Sequence, residues 1–243
     1  MTTTEEIEKR LAAKPYWVFF WLIAQALYVY LCIWLASQFL PVVWDVMSGK
    51  VDGQGQLFWL ILSLPKGAVL VHLMLWNQQN GIGPLAGEMT LPEGWPIYAI
   101  AATPILYLTI LTVSHEMLAG GDPNWAYGED GPPSHLQEAA YGISMFTCVV
   151  LLAPFIEEIV YRGVAMGFFL GRGARPWLAN GLAAILFTAI HTQYQLPALV
   201  PVFLMSLYFG WLRIKTGSVF VPLLAHTAAN MSVFVIGYLS FGS

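Results

Sequence analysis

The sequence predicts an all-α fold: a polytopic transmembrane helical bundle of about seven spans, or eight if its long fourth segment divides. Three observations carry that expectation. Charged residues make up only 10% of the chain and hydrophobic ones 58%, whereas soluble domains run at about 25% charged. The apolar residues gather into runs near the ~20 residues needed to cross a bilayer. Basic residues collect in alternate connections, the pattern of cytoplasmic loops. No polar stretch among the 243 residues is large enough to fold alone, so 16–239 reads as a single integral-membrane domain behind a cytoplasmic segment, 1–15.

Each element follows from local pattern. Residues 1–15 are polar and suit a short amphipathic helix at the membrane surface. Residues 16–40 form the first span, too long an apolar run for the roughly 7–15 residues of a signal-peptide core. Tyr16, Trp17, Trp21 and Trp44 suit interfacial anchoring. The second span, 57–76, contains Pro65, Lys66 and His72, and is expected to be kinked and partly polar. A Gly- and Pro-rich loop, 77–94, leads to the third span, 95–114. The insert 115–138 carries five acidic residues and no Lys or Arg, and reads as a solvated loop. The fourth segment, 139–170, exceeds one crossing, and Pro154 is expected to kink or break it. Spans five to seven fall at 177–193, 197–212 and 219–239.

Charge sets the orientation. Lys9, Arg10 and Lys14 precede span one, Arg172 and Arg175 separate spans four and five, and Arg213 and Lys215 separate six and seven. Seven crossings put all of these on one side and the acidic insert on the other, with Lys50 the exception. The expectation is a multi-pass protein of the cell membrane with a cytoplasmic N-terminus and an external C-terminus. A net charge of −4 leaves no nucleic-acid footprint. Cys32 and Cys148 lie in apolar runs without metal or redox spacing and read as small hydrophobes.

The chemistry concentrates in the second half. Glu157, Glu158 and Arg162 stand inside a run that is otherwise apolar from 141 to 170. Each charge at such depth costs about 2.5–3.5 kcal/mol on insertion scales. Glu158 and Arg162 are i,i+4 and can pair. Glu157 is turned about 100° away by the helical repeat, which leaves its carboxylate free for general-base work. His191, His226 and Asn230 are also polar residues in apolar runs. Glu158 is 14 residues from Arg172, His191 is 16 from Arg175, and His226 and Asn230 are 11 and 15 from Lys215. If the three segments are helical, all four side chains lie roughly 16–24 Å from the basic face, which argues for one site. His226 and Asn230, i,i+4, could donate two hydrogen bonds to an oxyanion. Phe187, four residues before His191, would wall the site.

Taken singly, each of these residues has a packing reading: a structural Glu–Arg pair, or a histidine bonded in place. Gly163, Gly167 and Gly171 form a ridge that suits close helix packing alone. His115-Glu116 begins like a zinc-protease HExxH, but position 119 is Ala. No serine nucleophile element lies near a histidine and no Asp lies in a clear span, which disfavours serine and aspartyl intramembrane proteolysis.

Glu157-Glu158-x-x-x-Arg162, Phe187-x-x-x-His191 and His226-x-x-x-Asn230 resemble the three motifs of the CAAX-protease and bacteriocin-processing (CPBP, or Abi) family, which includes the Rce1-type endopeptidases. The resemblance covers about 141–239, and the earlier spans match only as hydrophobic helices. It implies a glutamate-type intramembrane endopeptidase acting on a membrane-associated protein or peptide. Glu157 would activate water and His191 would hold it. His226 and Asn230 would form the oxyanion hole, with Glu158 and Arg162 in support. No cofactor is expected; the alternative is zinc held by Glu157, His191 and His226. The family also has members linked to immunity or scaffolding, so the alternative function is a non-enzymatic membrane immunity or scaffold protein with the same core. A transporter would call for repeat symmetry between the halves, which the sequence lacks.

Overall fold

Thr3 starts the first helix, α1 (Thr4–Ala12), by accepting the Glu6 N–H on its hydroxyl at 3.3 Å. Glu5 and Glu6 in the first turn and Lys9 and Arg10 in the last complement the helix dipole. This is a computed structural model, and it describes residues 3–21, 24, 55–83, 85–122, 125–126, 143–191 and 193–241. The expected first span falls almost wholly outside the described residues. Residues 16–21 are also helical, and the further helices among the described residues are α2 (Gly55–Gln79), α3 (Trp95–Ala119), α4 (Ile143–Gly171), α5 (Pro176–Ala189), α6 (Leu196–Thr216) and α7 (Phe220–Phe241). Among the described residues all regular structure is helical, apart from a single bridge between Glu88 and Ser218.

The all-α membrane architecture agrees with the sequence. Among the described residues four helices, Trp59–Gln79, Trp95–Ala119, Ile143–Gly171 and Leu196–Thr216, are long and apolar enough to cross a membrane, and Pro176–Ala189 and Phe220–Ile236 are shorter apolar helices. The expected fifth span is shorter than one crossing. Its helix has 14 residues, about 21 Å of rise against a hydrocarbon core of ~30 Å. The third span also runs on, to Ala119, where Gly120 closes it in the left-handed region (φ 59) with its N–H on the His115 carbonyl.

Pro154 neither breaks α4 nor divides it into two spans. The helix widens into π turns on both sides, over Phe146–Leu152 and Glu158–Ala165. An α-helix would press the proline ring against the carbonyl four residues back and lack an N–H there. The wide turn moves that carbonyl aside, and the Ala153 N–H bonds to the Cys148 carbonyl, five residues back. The chain therefore keeps one rod of 29 residues.

The glycine ridge has the packing role its spacing suggests, and α1 is its main partner. Ile7 and Leu11 are buried against α4, so the apolar face of α1 meets protein. A Cβ at Gly167 would stand 2.7 Å from Leu11 Cδ1, and one at Gly171 would overlap the Glu8 carbonyl oxygen. Gly163 meets the 77–94 loop instead, where a Cβ would lie 2.5 Å from the Leu85 carbonyl. That loop is no peripheral connection: Ile82, Leu85 and Ala86 are fully buried in the main core with Leu73, Tyr161 and Val164.

Polar ties hold α1 in place. The Thr4 hydroxyl donates to the Gly217 carbonyl at 2.7 Å, the Thr4 N–H donates to Glu88 Oε1 at 2.7 Å, and Glu8 Oε1 lies 3.3 Å from Arg213 Nη2. Burial pushes the Glu8 carboxyl up, against the pull of Arg213. Gly171→Leu is expected to displace α1, because the obstacle is backbone and cannot swing away. The expected loss is about 1–3 kcal/mol, read as a lower melting temperature and faster tryptic cleavage after Lys9 and Arg10.

Candidate active site

Three helices supply the polar groups. α4 contributes Glu157, Glu158 and Arg162; α7 contributes His226 and Asn230; the C-terminal end of α5 contributes Phe187 and, just beyond it, His191. The centre is His226. Its Nδ1 donates to Glu158 Oε1 at 2.8 Å, and its Nε2 lies 3.6 Å from Glu157 Oε2. One imidazole thus stands between two adjacent carboxylates. Phe209 of α6 stacks on it at 4.7 Å between centroids and 21° between planes.

This arrangement changes the expected separation of the two glutamates. The α-helical repeat turns Glu157 about 100° from Glu158, but α4 is wide from Glu158 onward. A turn of five residues spreads side chains less per step than one of four. Both carboxylates therefore face the same imidazole, and Glu157 is not without a partner. They differ in access: the Glu158 side chain is 1% exposed and that of Glu157 17%.

The expected pair of Glu158 and Arg162 is present, at 3.1 Å from Oε1 to Nη1 and fully enclosed. The contact is close without being aligned as a hydrogen bond, and Glu158 Oε2 has no hydrogen-bond partner among the described residues. Arg162 is held chiefly from α6. Its Nη2 donates to the Ser206 carbonyl at 2.9 Å and to the Ser206 hydroxyl at 2.8 Å. Its guanidinium lies over Phe187 at 4.7 Å and over Phe209 at 5.4 Å, flat against rings whose faces attract a cation. Ser206 and Phe209 are the residues that sequence reasoning missed. A lone serine in the apolar run 197–212 was the available signal, but its register against Arg162 depends on how α6 crosses α4.

Phe187 walls the site as expected, with its ring 4.6 Å from that of His191 and 5.9 Å from that of His226. His191 does not lie on a spanning helix, because α5 stops at Ala189. Its height comes from the turn at the helix end, where its N–H bonds the Thr188 carbonyl at 3.0 Å. His191 Nδ1 lies 2.8 Å from the Phe187 carbonyl. A carbonyl only accepts, so Nδ1 carries a proton, and in the neutral ring Nε2 then has the lone pair. Tyr194 lies parallel to this ring, 6.2 Å away. The start of the acidic insert belongs to the same neighbourhood: the Ala126 carbonyl accepts the Gln195 N–H at 2.8 Å. Its remaining residues, 127–138, lie outside the described residues.

Asn230 sits one turn after His226, and its Nδ2 donates to the Val149 carbonyl at 2.9 Å. One amide hydrogen is therefore engaged and the other remains for a ligand. The zinc set fits less well. His226 Nε2 and Glu157 face one another, and Glu158 accepts from the other nitrogen of the ring, as a carboxylate behind a metal-binding histidine commonly does. A third ligand is wanting: among the described residues no three His, Cys, Asp or Glu side chains converge to hold a metal.

Residues 139–232, a range that includes Glu157, Glu158, Arg162, His191, His226 and Asn230, match the family described as type II CAAX prenyl endopeptidase Rce1-like. An Escherichia coli protein described only as an uncharacterized 24.3 kDa protein is 34% identical over 91 residues, which cover 37% of this chain and 42% of that one. The chain thus spans about two-fifths of the length of the curated relative it matches. No solved structure matches the chain.

Proposed function

We propose that this protein is an intramembrane endopeptidase that hydrolyses a peptide bond of a membrane-associated protein or peptide by glutamate-activated water. The observation that carries the reading is His226 set between two carboxylates at 2.8 and 3.6 Å, inside helices that are otherwise apolar. Arg162 lies against Glu158, and Glu157 stands 3.6 Å from His226 Nε2, so a carboxylate and an imidazole share one enclosed site, the pairing of groups that general acid–base chemistry uses.

In this mechanism a water molecule rests against Glu157 and the lone pair of His191 Nε2. Glu157 takes one proton as the water oxygen bonds to the substrate carbonyl carbon. The oxygen of that carbonyl gains charge and receives hydrogen bonds from His226 and the free N–H of Asn230. Glu157 then gives its proton to the amide nitrogen, the C–N bond breaks, and a carboxylic acid and an amine leave. Glu158 holds the His226 ring by Nδ1, and Arg162 keeps Glu158 ionised. The topology proposed with it is a multi-pass membrane protein with a cytoplasmic N-terminus.

The mechanism proposed here gives a metal no step; among the described residues no three His, Cys, Asp or Glu side chains converge to hold one. Purified full-length protein in liposomes, given a library of membrane-tethered peptides, is expected to cleave a subset. Prolonged treatment with 1,10-phenanthroline should leave at least about half of that activity. Loss of activity to the chelator and its return with zinc would replace the proposed water chemistry with metal chemistry. No cleavage by the wild type, together with an unaltered cellular phenotype for Glu157→Gln, would overturn the enzymatic reading.

A further inference from the structure

Asn230 depends on a carbonyl that an ordinary helix would not offer. Inside a helix each carbonyl takes the N–H of a following residue, and buried carbonyls are seldom left unpaired. In the wide turn Phe146–Leu152 the hydrogen bonds span five residues: the Ala153 N–H goes to the Cys148 carbonyl. The same register assigns the Val149 carbonyl to residue 154. Residue 154 is Pro, which has no N–H. The acceptor thus left over is the one that Asn230 Nδ2 fills at 2.9 Å, across the α4–α7 interface.

From this geometry we infer that Pro154 is a positioning residue: it withholds a backbone donor so that the Val149 carbonyl orients the Asn230 amide toward the reacting site. The proline stands three residues before Glu157, so one turn of α4 sets both the carboxylate and, through α7, the amide opposite it. With Nδ2 tied to Val149, the amide cannot rotate freely, and its second N–H holds one direction. A free asparagine at the same position could instead turn its own oxygen toward a developing oxyanion, which would repel it.

The inference rests on the proposed function for what the amide does, but the contact itself can be tested through stability alone. Asn230→Ala should lower the melting temperature by about 3–6 °C, since it leaves a buried carbonyl unpaired. In a Pro154→Ala background the new N–H can serve Val149, so the same Asn230→Ala change should cost less than half as much. Pro154→Ala alone should melt no lower than wild type, because alanine suits a helix interior better than proline. Equal losses from Asn230→Ala in both backgrounds would overturn the inference. Asn230→Asp leaves the proline untouched and sets an oxygen against the Val149 carbonyl. It should melt at least as low as Asn230→Ala, and wild-type melting would overturn the inference even if Pro154→Ala did not fold.

Kinetics separate positioning from mere architecture. On any peptide the wild type cleaves, Pro154→Ala should lower kcat about tenfold or more with KM within twofold, because an oxyanion donor acts in the transition state. The double variant Pro154→Ala/Asn230→Ala should be no slower than Asn230→Ala alone. Additive losses in kcat would overturn the positioning role. If no peptide is cleaved, the melting cycle still decides the contact, so failure of the enzymatic reading and failure of this inference remain distinguishable.

Discussion

Glu157→Gln is expected to reduce cleavage by about 10²–10⁴-fold while leaving the protein folded. The amide keeps the size and shape of the carboxylate but cannot accept a proton from water at neutral pH. Stability should change little, because Glu157 is the more accessible of the two carboxylates and its contact with His226 Nε2, at 3.6 Å, is longer than a hydrogen bond. The loss should appear in kcat with KM largely preserved, as befits a group whose part lies in the transition state. Glu158→Gln is the contrasting control. Glu158 is enclosed, accepts from His226 Nδ1 at 2.8 Å and balances Arg162, so its neutralisation should lower both melting temperature and turnover. Kinetics on a cleaved peptide, with thermal melting of each variant, check the pair. Wild-type turnover by folded Glu157→Gln would eliminate the glutamate–water mechanism.

The contrast between the two glutamates also shows which parts of the site could be read from sequence. The membership of the cluster was legible, since charge in an apolar run is costly and Glu157, Glu158, Arg162, His191, His226 and Asn230 were the groups that called for explanation. Their relation was only half legible. The Glu158–Arg162 pair follows from i,i+4 spacing and is present. The shared approach of both carboxylates to His226 does not follow, because it depends on a π-widened helix that α-helical geometry does not anticipate. Pro154 was legible as a perturbation, a kink or a break, and the chain answers it with wide turns and an unbroken helix. The height of His191 likewise came out near the others for a different reason: α5 is too short to span and ends beside the site. The long connections were least legible. The burial of Ile82, Leu85 and Ala86 depends on Gly163 leaving room for a loop, which is a relation between segments far apart in the chain.

Removing Arg162 should have the largest effect on stability. Arg162→Ala is expected to cost about 3–5 kcal/mol, or roughly 10 °C or more in melting temperature. The guanidinium answers a buried carboxylate, the Ser206 carbonyl and the Ser206 hydroxyl, and fills the space between Phe187 and Phe209. Truncation strips the buried Glu158 of its counter-cation, removes the donor to both Ser206 oxygens and opens a cavity. Arg162→Lys should recover little, since a compact ammonium cannot meet Glu158 and both Ser206 oxygens from one planar fork. The informative variant is Glu158→Gln/Arg162→Met, which removes both charges and keeps volume. If the penalty of Arg162→Ala is mainly the stranded charge, this double variant should melt above Arg162→Ala, although it lacks two polar groups where the single variant lacks one. It should nonetheless be catalytically impaired, because His226 Nδ1 would then face a neutral amide and no carboxylate would fix its proton. Stability recovered without turnover would separate the two duties of the pair, enclosing charge and orienting His226. Wild-type melting for Arg162→Ala would remove the basis for both.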